Sequence, residues 1–209
     1  MSSSYFTLQK QCENLIVIER SKFICTICPI EDENQAKEFI ELIRKKHSLA
    51  NHNCYAYIAD DKGLVQKFSD DGEPQGTAGL PMLEVLKNKK MFKTVAVVTR
   101  YFGGIKLGTG GLTRAYSGSV ADCLKIAPIV NMHPSKTFEI TIEYDGYSRL
   151  IKLLTNDEVV IKNTEFNNNI KVEFVIKSHC VDAVIEKIVD AFNGKITPIN
   201  KESGYYPFK

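Results

Sequence analysis

From residue 136 onward, apolar side chains recur at two different spacings, and the order of those spacings restricts the fold more than any total does. "KTFEITIEY" alternates with period two and predicts a strand, whereas "GYSRLIKLL" shifts to helical spacing. "EVVIKNTEF" and "IKVEFVIK" predict a hairpin around "NNN". "CVDAVIEKIVDAF" predicts a helix closed by Gly194, and "KITPINKE" a last strand. The succession β-α-β-β-α-β, in about 70 residues, is the split βαβ of ferredoxin-like folds.

The earlier part is less regular. "YFTLQKQCENLIVIERSKFICTICPI" predicts two or three antiparallel strands. In the next segment Ala36, Phe39, Ile40 and Ile43 fall on one helical stripe, and Asp32 with Gln35 forms a capping-box pattern. "NCYAYIAD" and "LVQKFS" predict strands, and a helix is expected from near Pro81. "KTVAVVTRYF" has the apolar run of a buried strand. A further helix carries Leu112, Tyr116, Ser119, Val120 and Cys123 on one face and ends at Pro128. "IVNMHPS" is expected as a linker. The expectation is therefore two α+β domains, residues 1–130 and 136–209.

No apolar run approaches the roughly 20 residues that span a bilayer. "MSSSYFTLQK" lacks a basic region followed by an apolar one, so no signal peptide and a cytoplasmic address are expected. The six cysteines are scattered among apolar neighbours. Cys25 and Cys28 form a C-x-x-C without a second pair, and a strand sends residues three apart to opposite faces, so packing is expected rather than zinc. Net charge is only +2. The slight positive excess lies before residue 131, which favours an anionic partner weakly.

Five glycines crowd "RYFGGIKLGTGGLTRAY" after a strand and before a helix. In that setting main-chain N–H groups and a helix N-terminus cradle anions. Gly103, Gly104 and Gly108 would open the backbone, with Lys106, Thr109 and Arg114 as anion partners. Arg100, Tyr101 and Phe102 could hold phosphate and stack a base; alternation keeps Tyr101 and Phe102 from facing the same way while the strand lasts. The bland alternative is a wide turn between closely packed elements. The run lacks the G-K-[ST] of a P-loop and the spacing of a dinucleotide fingerprint. "SDDGEPQG" gathers Asp70, Asp71 and Glu73, which suit either a turn or a hard cation such as Mg²⁺. His52 and Cys54 share a strand face, yet two residues along one strand rarely bring thiol and imidazole into contact. No histidine pattern has metal-ligand spacing.

"HNCYAY", "FSDDGEPQGTAGLPML" and "VVTRYFGGIKLGTGGLTRAY", in that order, resemble the YigZ/IMPACT family across about residues 20 to 125. The tail resembles the smaller second domain of its bacterial YigZ-type members. The resemblance implies a first domain like the second domain of a small-subunit ribosomal protein, shared with GHMP-type kinases, and a ferredoxin-like second domain. It also implies regulation of translation, because eukaryotic relatives compete for an activator of a translation-linked kinase. The family motif falls here on Arg100, Tyr101, Phe102, Lys106, Thr109 and Arg114, with His52, Asp70, Asp71, Glu73, Gln75 and Thr77 as a supporting loop.

These residues predict a binding protein that contacts RNA, the ribosome or a translation-linked protein. No resident metal or cofactor is expected, nor a membrane partner or DNA specificity; an enzyme is disfavoured and no catalytic residue is assigned. A phosphate- or nucleotide-handling enzyme, with Mg²⁺ on the acidic loop, and a pure protein-interaction module are the alternatives.

Overall fold

The protein is described by a computed structural model covering residues 4–208, so residues 1–3 and 209, at the outer ends of the two expected domains, lie outside the described residues. The chain divides into two compact units, Tyr5–Val130 and the chain from Asn131 onward.

The first unit contains β1 (Tyr5–Leu8), β2 (Cys12–Ile18), β3 (Ser21–Pro29), α1 (Glu33–Lys46), β4 (His52–Ile58), β5 (Gln66–Ser69), α2 (Gly79–Asn88), β6 (Thr94–Tyr101) and α3 (Gly108–Ile126). An antiparallel sheet runs in the order β2-β3-β6-β4-β5. Alternation explains why both of its faces are buried. Phe23, Cys25, Ile27, Cys54, Ala56, Ile58, Ala96 and Val98 meet Met82, Leu86, Leu112, Tyr116 and Val120 of α2 and α3. The intervening positions, Tyr57, Val95 and Val97, meet Ala36, Phe39, Ile40 and Ile43 of α1. Cys25 and Cys28 accordingly pack into different cores.

Helix α1 starts where expected: the Asp32 carboxylate accepts the Asn34 and Gln35 amides. The Gln35 side chain accepts the Glu31 amide rather than that of Asp32, a shifted form of the box. The β2–β3 turn places Glu19 and Arg20 both at positive φ, 45° and 64°.

The second unit takes most of β7 (Ile129–Ile142), then α4 (Tyr144–Leu154), β8 (Val159–Phe166), β9 (Ile170–Lys177), a single 3₁₀ turn at Ser178–Cys180, α5 (Val181–Ala191) and β10 (Ile199–Pro207). The strands run β10-β7-β9-β8, each pair antiparallel, so β9 splits the β7-α4-β8 crossover. Phe138, Ile140, Ile142, Val172, Phe174 and Ile176 pack against Leu150, Leu154, Val181 and Ile188 of the two helices. The expected linker "IVNMHPS" is instead the first half of β7; Met132–Pro134 pair with Tyr205–Pro207 of β10, which satisfies main-chain groups that a loop would leave to water.

Candidate functional site

One end of the first unit's sheet gathers the start of β3, the start of β4 and the end of β6, because Phe23 and His52 both stand opposite Arg100 in the antiparallel registers. The 70–78 loop closes over this end. Its geometry follows from its acids. The Asp70 carboxylate accepts the amides of Gly76, Ala78 and Gly79 at 2.8–3.0 Å, so it occupies the N-terminus of α2. Asp71, at φ 43°, accepts the Asn53 amide at 2.6 Å and pairs with Arg44 at 3.0 Å. Its carbonyl lies 2.8 Å from His52 Nδ1. Thr77 is buried and donates to the Pro74 carbonyl, whereas Gln75 is exposed.

Glu73 points inward and is buried. Its Oε1 accepts Arg100 Nη1 at 2.6 Å and the Tyr116 hydroxyl at 2.7 Å. His52 Nε2 is 3.9 Å from Oε2, in ion-pair range only when protonated. Burial, aided by Cys54 and Glu73, pushes the Tyr116 phenol well up and keeps it a proton donor to Glu73. Burial also raises the Cys54 thiol, which donates to the Asp70 carbonyl. The pair of Cys54 and His52 therefore holds the acidic loop rather than forming a nucleophile.

One expectation changes here, and of the two readings of the acidic loop the turn is the one its contacts show. Arg100 is not an open cation: it is 5% exposed, bound to Glu73, and its Nη2 lies 3.5 Å from Ser21 Oγ. Buried opposite charges pair because each would otherwise be stranded in low dielectric. Nor do Asp70, Asp71 and Glu73 converge as ligands for a hard cation. Each turns to different amides, guanidinium groups or a phenol, and among the described residues they do not form a metal-ligand group. Tyr101 faces the α1 side, its hydroxyl 3.0 Å from His47 Nδ1, while Phe102 is exposed and lies within cation–π range of Arg100 at 5.4 Å. The two aromatics part company, as alternation requires.

The glycine run is anchored at one point and open beyond it. The Gly103 amide donates to Ser21 Oγ, and a Cβ at 103 would collide with the Arg20 carbonyl group. Asn51 accepts the Phe102 amide at 2.8 Å. Gly104, Lys106, Gly108, Thr109 and Gly110 are exposed. Helix α3 begins at Gly108, at φ 69°, with no side-chain cap from Leu107. The amides of residues 108–110 have no acceptor within the helix. Lys106 and Arg114 are exposed, and among the described residues neither has an acidic partner. Arg114 lies four residues beyond Gly110, and helical side chains lean toward the N-terminus, which directs the guanidinium back along the open turn.

Ser21, Asn51 and Tyr116 join the site without having been expected there. Tyr116 carries a signal in the sequence only as a core-stripe residue with a polar tip; Ser21 and Asn51 carry none.

Known proteins match this chain in the same two parts. The family profile described as "Impact N-terminal domain" matches residues 19–124, and that described as "Domain of unknown function (DUF1949)" matches residues 140–195. "IMPACT family member YvyE" of Bacillus subtilis is 41% identical over 93% of this chain and 90% of its own length. "Protein IMPACT-A" of Xenopus tropicalis is 34% identical over 44% of this chain and 30% of its own. A crystal structure described only as that of a hypothetical protein is 31% identical, with TM-score 0.61, over 97% of this chain and 99% of the other.

Proposed function

This chain belongs to the IMPACT family, and from that premise we propose that it acts in translation by binding RNA, free or on the ribosome, through the open N-terminus of α3. One contrast supports this reading. Asp70 fills the N-terminus of α2, while the N-terminus of α3 is uncapped, rich in glycine and flanked by Lys106 and Arg114. A helix end of that kind receives phosphate oxygens. Phe102 supplies an exposed ring for base stacking, with Arg100 beneath it. Thr109 adds a hydroxyl in the first turn.

In this reading the first unit has the architecture of the second domain of a small-subunit ribosomal protein, shared with GHMP-type kinases; two helices on one sheet face support that. The second unit is ferredoxin-like, supported by its strand order. The translational role rests on the eukaryotic relatives implied by the motifs. The engagement of all three loop carboxylates inside the fold speaks against a Mg²⁺-dependent enzyme built on that loop.

The test is fluorescence anisotropy with labelled single-stranded RNA at several salt concentrations. Wild type binds, more weakly as salt rises, and Lys106→Glu with Arg114→Glu loses at least about tenfold in affinity while its circular dichroism is unchanged. An unaffected double variant, or no RNA binding at all, would remove the proposal and leave the protein-interaction reading.

A further inference from the structure

We propose that the second unit binds a zinc ion through Glu158, His179 and Cys180, with water in the fourth position. Among the described residues this is the one group of three metal-ligating side chains whose donor atoms all lie within 4.8 Å of one another. Glu158 Oε2 is 3.7 Å from His179 Nε2 and 3.6 Å from Cys180 Sγ. Zinc–nitrogen and zinc–oxygen bonds of about 2.0–2.1 Å and a zinc–sulfur bond of about 2.3 Å, at tetrahedral angles, need donors roughly 3.4–3.6 Å apart. Both spacings from Glu158 are close to these values, and the His179–Cys180 spacing is no more than 4.8 Å.

The backbone holds these donors together. The Lys177 amide donates to the Glu158 carbonyl, extending the β8–β9 pairing by one residue, and the Asn156 side chain accepts the Glu158 amide. The 3₁₀ turn Ser178–Cys180 then follows β9 directly, which returns His179 and Cys180 over Glu158. The carboxylate is fixed by one strand and the other two donors by the turn after its neighbour.

The donor set selects the metal. One thiolate, one imidazole and one carboxylate form a borderline-soft site that suits zinc and not magnesium or calcium. On binding, the Cys180 S–H bond breaks, its proton goes to solvent and the sulfur lone pair forms the bond to zinc; no electron transfer is involved. The resident cation at Glu158 is Lys177, whose Nζ lies 3.2 Å from Oε2. Its ammonium also lies 5.1 Å from the centre of the Phe208 ring, so it keeps one favourable contact when zinc takes the carboxylate. His179 is 72% exposed in its side chain, so the ion has an open route.

Untagged full-length protein, freed of metal by chelation, is titrated with Zn²⁺ by isothermal calorimetry and with Co²⁺ by absorption. One equivalent of Zn²⁺ is expected to bind despite a large excess of Mg²⁺. The Co²⁺ form should show a sulfur-to-cobalt charge-transfer band. Cys180→Ser removes that band, and Cys180→Ser, His179→Ala and Glu158→Gln each weaken Zn²⁺ by roughly tenfold or more, since even lost second-shell partners cost about that much. Cys12→Ser, on the other unit, binds as wild type does. Failure to bind one equivalent, a Co²⁺ complex without the thiolate band, or a folded Cys180→Ser with unchanged affinity overturns the assignment.

Discussion

Glu73 and Arg100 are each almost wholly enclosed, with side chains 4% and 6% exposed, and neither has water to fall back on. Deleting one partner of such a pair strands the other charge, at a cost of about 3–5 kcal/mol. Arg100→Met should therefore lower unfolding free energy by about that much in urea titration, whatever it does to RNA binding. Adding Glu73→Gln should return a large part of the loss, because the stranded charge is gone and the Tyr116 hydroxyl keeps an acceptor. Equal losses in the single and double variants would contradict the pairing. A second residue, His47, makes stability depend on pH. Burial, then the charge of Lys46, lowers its pKa from the ordinary 6.5, against a smaller opposing pull from Glu13. Its Nδ1 meets the Tyr101 hydroxyl and its Nε2 is enclosed without a partner. The unfolded chain thus takes up the proton first. This stabilising contribution is complete above 6.5 and is lost as pH falls through the lower folded value. His133, depressed by burial and Lys177, adds a contribution of the same sign. Melting temperature should fall as the solution is taken from neutral to mildly acidic, and His47→Gln should flatten that slope; a His47→Gln curve parallel to wild type would rule out this origin.

Helix α3 and the loop before it show glycines serving two different ends. At 103 the chain passes against the Arg20 carbonyl, so Gly103→Ala must move the β2–β3 turn and should be strongly destabilising. At 110 a Cβ would meet nothing, and the backbone is helical, so Gly110→Ala should stabilise by about 0.5–1 kcal/mol. The same methyl group stands in the open first turn, where it would keep a phosphate from the amides. A variant with a higher melting temperature and weaker RNA binding is the expected result, and unchanged RNA affinity would place the contact elsewhere. This division is only half legible in the sequence. Periodicity reveals α1, α4, α5 and the β8–β9 hairpin, because each buries one face and the pattern records it. It fails at residues 129–135, where Pro134 and short polar residues suggest a linker. The strand partner there comes from the far end of the chain, with Tyr205 of β10 standing opposite Pro134, and no local pattern announces it. The turn at Glu19 and Arg20 carries no Asn-Gly signal, although both residues take positive φ. For the candidate site, the motif residues come together at one end of the sheet, but the motif does not say which charges face inward. Arg100 reads as a surface cation because nothing near it in the sequence shows that Glu73, 27 residues earlier, folds in to meet it.

Charge is unevenly divided along the whole chain, and its division sets how binding should respond to salt. Residues 1–130 hold 17 Lys and Arg against 14 Asp and Glu, an excess of 3, whereas residues 131–209 hold 10 against 11. Arg100 is neutralised internally by Glu73. Other exposed cations of the first unit, such as Lys62, Lys89 and Lys90, also have no ion pair among the described residues, but Lys106 and Arg114 are the two that flank the open helix end. Each phosphate contact on a single strand contributes about −0.7 to the slope of log affinity against log salt. The two contacts at the helix end predict a slope of about −1.4, far shallower than that of a protein with a broad basic face. Lys106→Glu with Arg114→Glu should remove about 1.4 from its magnitude. Lys195→Glu, an exposed change in the second unit, should leave the slope as it was. A wild-type slope several times steeper, or a Lys195 variant that loses as much as the double variant, would mean that phosphate is read by a different surface from the first turn of α3.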